Sequence, residues 1–165
     1  MPSEAVAVTA LEHKSSRAIA GMLLALALIA TTFVIAHPSN NCEFDNNYKR
    51  QIINIGSARI DAAVADNQEL HQLGLGQRPC MNKREGMLFE FQQPAKHGIW
   101  MKDMKLNIDI VWMSAQKKVV GLEKNVSPLS YPKVFYPEEQ AIYVLELNAG
   151  EADELQVSKG TQLQW

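Results

Sequence analysis

The chain has 165 residues, 16 basic and 18 acidic side chains, and a formal net charge of −2. So even a balance, with no basic stripe and no acidic tail, argues against a nucleic-acid partner and against a purely charge-driven one. A length of this order supports one domain, and roughly the first forty residues do not read as part of it.

Residues 18–36, AIAGMLLALALIATTFVIA, carry neither charge nor proline. As a helix they extend roughly 28 Å, close to the thickness of a bilayer core, and no polar face marks them as a buried globular helix. His13, Lys14 and Arg17 precede the run while Glu43 and Asp45 follow it, so the positive-inside bias makes 1–17 a cytoplasmic tail and sends the rest across. The run is expected to be a transmembrane anchor or a signal peptide. Val34, Ile35 and Ala36 suit a signal peptidase, whereas an apolar core longer than the usual ~7 to 15 residues favours an uncleaved anchor. Residues 37–49 are polar and turn-rich, a linker to a globular part at 50–165 that lies outside the cytoplasm, membrane-anchored or secreted. Cys42 and Cys80 are the only cysteines. In an oxidising compartment they can close a disulfide worth ~3 to 4 kcal/mol, or stay as two thiols, since spacing alone does not fix the Cα separation.

QIINIG and ARIDAAVA alternate about Gly56 and Ser57 and predict a hairpin. Asp66 followed by Glu69 is the spacing of an N-cap with a reciprocal acid, opening a short helix that Gly74 or Gly76 stops, with His71 on its surface. In MLFEF, Met87, Phe89 and Phe91 alternate with Leu88 and Glu90 as a strand buried on one face, which Gln93 and Pro94 end. HGIWMKDM, NIDIVWM and KKVVGLEKNV are further strand candidates. SPLSYPKVFYPEEQ holds prolines 128, 132 and 137 and is expected to be a long surface loop. AIYVLELNAG reads as a strong strand, EADELQV as a helical turn or two, and KGTQLQW as a closing strand. Seven or eight short strands and two short helices predict a mainly β, α+β fold: a small, mostly antiparallel barrel or pseudo-barrel behind an N-terminal membrane helix.

Strand alternation puts Asp109 with Val111 and Met113, and Glu146 with Ile142 and Val144. Two acids on apolar faces need partners, and Lys102 and Arg78 are the nearby candidates. These four groups either gather at the barrel mouth around a ligand or brace it as two ion pairs. His97, Trp100, Met101 and Met104 form a second set whose imidazole and thioethers suit Cu(I), although methionine and tryptophan are also ordinary core residues. No nucleophile elbow, zinc-protease helix, phosphate loop or Cys-x-x-Cys pair occurs.

Taken together, LGLGQRPCMNKREGMLFEF, GIWMKDMKLNIDIVWM, YVLELNAG and the final KGTQLQW resemble, in order and spacing over about residues 50–165, the bacterial and archaeal family called domain of unknown function 192. The resemblance implies a compact, mostly β fold, often behind a signal or anchor, with no established activity or cofactor. Its motif positions fall here on Arg78, Glu85, Gly86, Met87, Phe89, Trp100, Met101, Lys102, Asp109, Glu146, Asn148 and Gly150. Many relatives carry a cysteine pair in the loop where this chain has SPLSYPKVFYP and none, so that loop's role is expected to differ.

The leading expectation is a non-catalytic module that binds a polar cell-envelope ligand, such as a glycan fragment, through Arg78, Trp100, Lys102, Asp109 and Glu146, without metal or cofactor. The alternatives are a hydrolase-like enzyme in which Asp109 and Glu146 share acid and base roles, and a Cu(I)-handling protein using His97, Trp100, Met101 and Met104.

Overall fold

The computed structural model describes Cys42, Phe44 and residues 47–165. The apolar run 18–36, and with it the expected membrane helix, lies outside the described residues. Among the described residues no helix is long and apolar enough to cross a membrane.

Among the described residues there are eight strands: β1 (Arg50–Ile55), β2 (Ala58–Ala65), β3 (Glu85–Ala95), β4 (Ile99–Trp100), β5 (Ile108–Met113), β6 (Val119–Val126), β7 (Val134–Phe135) and β8 (Ala141–Asn148). Two short helices join them, α1 (Gln68–Leu73) and α2 (Glu151–Glu154), with a 3₁₀ turn at Pro128–Ser130. The β1–β2 hairpin forms about Gly56, whose φ of +58° suits a residue without Cβ. Asn67, not Asp66, caps α1, its side-chain oxygen accepting from the Leu70 N–H at 3.0 Å. Asp66 is drawn instead into an ion pair with Lys49. The helix stops at Gly74.

Six strands make one sheet in the order β1-β2-β3-β8-β5-β6, antiparallel except for the parallel pair β2/β3. That pair needs a crossover, which α1 and the loop after it supply. The expected barrel is not closed. Strands β1 and β6 stand at opposite edges of the sheet, and KGTQLQW is a strap between them rather than a strand, making single bridges Asn54–Gln164 and Lys118–Gln162. Consecutive residues explain why: the Leu163 N–H donates to Lys117 on one side and the Gln164 N–H to Asn54 on the other. Neither side gains a ladder.

The sheet is covered on both faces, and so its central strands lack a polar side. All six residues of β5 are buried, as are Gly86–Phe89 of β3. The expectation of a β3 buried on one face is therefore corrected: Met87 and Phe89 join one core while Leu88 joins the other. Strand β3 also runs on through Gln93 and Pro94 to Ala95, a break in register after Glu90 relaxing the ladder where proline cannot donate. β3 and β8 approach closely at Gly86, where a Cβ would stand 2.7 Å from the Glu146 carbonyl oxygen.

Over the face that carries Phe89 lie α1, the turn Met101–Leu106 and a small ribbon of β4 and β7, with Ile99 opposite Phe135 and Trp100 opposite Val134. HGIWMKDM contributes only Ile99–Trp100 to strand. The proline-rich segment is less of a free loop than expected, since it holds the 3₁₀ turn, the cis Tyr131–Pro132 bond and β7.

Candidate functional site

Register decides the fate of the two buried acids. Ile110 and Met87 stand directly opposite Glu146, whereas Leu147 stands opposite Asp109. Directly opposed residues share a face, so Glu146 belongs to the face of Ile110 and Asp109 to the reverse one. The expectation that both acids meet at one mouth is overturned.

Asp109 is wholly buried and fully engaged. Its Oδ1 accepts from the Asn125 N–H at 2.8 Å, and its Oδ2 from the Gly150 and Ala152 N–H groups, each at 2.9 Å. It ties the end of β6 to the start of α2, with no cation needed because backbone amides satisfy it. Arg78 also leaves the expected cluster. Its guanidinium donates to the Cys42 carbonyl and lies 3.9 Å over the Phe44 ring, beside the Cys42–Cys80 disulfide, where the two Cα atoms are 5.1 Å apart. Burial lowers its pKa from the ordinary value.

Glu146 is 4% exposed and forms the base of a cleft of about 50 Å³. The walls include His71 from α1, Phe89 from β3, Trp100 from β4, and Lys102 and Met104 from the turn that follows. Its Oε2 is buried with no hydrogen-bond partner among the described residues. Burial alone pushes the carboxyl up to about 8, so at neutral pH it is mostly protonated. The expected neutralisation by Lys102 does not occur: that amine is exposed at the rim and makes no ion pair among the described residues. Trp100 is 47% exposed and lines the cleft.

Of the five expected ligand-binding residues, the structure thus brings together Trp100, Lys102 and Glu146 and places Arg78 and Asp109 elsewhere. His71, expected on the surface, is a wall of the cleft, its Nε2 2.9 Å from the Ala65 carbonyl and its ring centroid 4.5 Å from that of Phe91. No local signal separates such a residue from a solvated one, because only the return of β3 beneath α1 covers it.

The Cu(I) set is dispersed. His97 stacks on Phe91 with centroids 3.6 Å apart and sets its Nε2 2.9 Å from the Gln93 carbonyl, while Met101 is buried in the core. Trp100 and Met104 alone face the cleft. Among the described residues no group of three His, Cys, Asp or Glu could hold a metal ion.

The described fold has counterparts in two crystal structures. A protein of Sinorhizobium meliloti 1021 described as a candidate transcription regulator superposes with a TM-score of 0.68 and 27% identity, over 73% of this chain and 97% of its own. A protein of unknown function from Novosphingobium aromaticivorans DSM 12444 gives 0.64 at 22% identity, over 72% of this chain and 85% of its own, and so speaks to fold alone. No curated protein matches. The family model DUF192, described as an uncharacterized ACR, matches residues 51–165, and the chain belongs to that family.

Proposed function

We propose that the domain is a non-catalytic binding module held outside the cytoplasm, by an N-terminal anchor or after its cleavage, and that it takes a small polar ligand of the cell envelope in the cleft above Glu146. The observation that carries this reading is the unpartnered Oε2 of a buried carboxyl at the base of an opening flanked by an exposed indole. A neutral carboxyl both donates and accepts, and an aromatic face beside such a group suits the apolar face of a sugar ring. The apolar run at 18–36 and the Cys42–Cys80 bond support an oxidising, extracytoplasmic setting. A two-carboxylate hydrolase finds no support, because Asp109 is on the other face with both oxygens occupied. The balanced charge likewise favours no nucleic-acid role.

Thermal unfolding of the full chain with soluble peptidoglycan fragments and glycans tests the proposal. A ligand should raise the midpoint, and Trp100→Ala should abolish the rise. A midpoint unmoved by every fragment overturns the reading.

A further inference from the structure

Resting on that binding reading, we infer that the group which the ligand sets against Glu146 is a protonated primary amine, so that the cleft selects amine-bearing ligands over their acylated forms.

The argument begins with what each neighbouring element offers the carboxyl. Strand β3 presents Met87 and Phe89, β5 presents Ile110, and β4 with its following turn presents Ile99, Trp100 and Met104. None carries charge. Among the described residues only two titratable groups line the cleft with Glu146, His71 from α1 and Lys102 from the turn. His71 has its Nε2 against the Ala65 carbonyl, and the amine of Lys102 is in solvent. A buried carboxyl so placed either keeps a proton or meets a cation from outside, since an unpaired buried carboxylate is too costly. An anionic group is repelled by the π faces around the acid, and by the acid itself once it has lost its proton. An ammonium gains a charge-assisted hydrogen bond to Oε2 and faces Phe89 and Trp100, rings that attract cations. A space of about 50 Å³ admits an ammonium and a carbon or two, leaving the body of the ligand on Trp100. Lys102 at the wet rim opposes this only weakly, through high dielectric and salt.

A proton inventory follows. The carboxyl, held up to about 8 by burial, is mostly protonated at pH 7 and must give up that proton to pair with an ammonium. An alkyl amine of ordinary pKa ~10.4 stays charged throughout, so affinity rises from pH 6 to pH 8 with about one proton released per ligand.

The test is calorimetric titration of the full chain at pH 7, in two buffers of different ionisation enthalpy, with Nα-acetyl-lysine amide and with its Nα,Nε-diacetyl counterpart. The free amine should bind at least about tenfold more tightly, one charge-assisted hydrogen bond's worth. Glu146→Gln should erase both the preference and the proton release, and Lys102→Ala should tighten the amine slightly. Equal affinity for the two amides, no proton release, or a preference surviving in Glu146→Gln overturns the inference. If envelope fragments stabilise the chain while neither amide binds, the amine inference falls and the binding reading stands. If nothing binds at all, both fall.

Discussion

Asp109 and Glu146 are both acids in the interior, yet the first is saturated by backbone amides and the second has an oxygen without a partner among the described residues. For Glu146 the folded pKa, pushed up to about 8 by burial, stands above the ordinary value of 4.5. Between those values the folded state holds more protons than the unfolded one, so stability is full below about pH 4.5, falls as pH rises and levels off above about 8. A shift of that size corresponds to a penalty on the order of 5 kcal/mol at most. Urea midpoints should therefore drop between pH 5 and pH 8.5 in the native protein relative to Glu146→Gln, the two converging at the acid end. Parallel midpoints would remove the case for a desolvated acid. For Asp109 the expected damage has the opposite origin. Asp109→Asn turns an NH₂ toward amides that need an acceptor, stranding at least one buried N–H, and should cost about 3 kcal/mol or more in urea unfolding at pH 7. That both acids point inward was legible from strand alternation. Which face each one joined was not, because a face is fixed by the register with β5, β8 and β3, which local sequence does not encode.

At the scale of elements, the cleft depends on the β4–β7 ribbon that carries Trp100. Gly98, just before β4, lies so close to β7 and the residue after it that a Cβ would stand 2.5 Å from Tyr136 Cε1 and 2.6 Å from Val134 Cγ1. Gly98→Ala should push the ribbon apart, lower stability by about 1 to 3 kcal/mol, shift the emission of exposed Trp100 and weaken ligand binding. Unchanged emission and midpoint would mean the ribbon absorbs the methyl group without moving. The Gly56 hairpin could be read from its residues since turn and strands are adjacent, and for the same reason the end of α1 could be read to Gly74 or Gly76, of which the structure uses Gly74. The ribbon could not, because its two strands are two residues each and meet from distant parts of the chain. The shift of the α1 cap from Asp66 to Asn67 also comes from pairing: Lys49, beside the end of β2 in the hairpin, competes for the aspartate.

At the scale of the whole molecule, two devices tie the sheet's periphery. The strap at 162–164 bridges its two edges, burying Leu163, and the Cys42–Cys80 bond fastens the entering chain, with Phe44 buried under Arg78, to the loop before β3. With a sequence separation of 38, replacing both cysteines by serine should cost ~3 to 4 kcal/mol through the freed unfolded chain. Urea midpoints of the double variant and of the reduced native protein should then agree. If neither differs from the oxidised native protein, the bond adds no stability.

The sequence by itself determined the mainly β class, the hairpin, most strand positions, the inward acids and the family, since these follow from alternation, turn residues and local motif strings. Tertiary structure alone decided that the sheet stays open with both faces covered, that Asp109 and Arg78 leave the site, and that His71 and Phe89 join Glu146, Trp100 and Lys102. Pairing partners, and hence faces, are chosen by contacts between segments far apart along the chain, where no local preference operates.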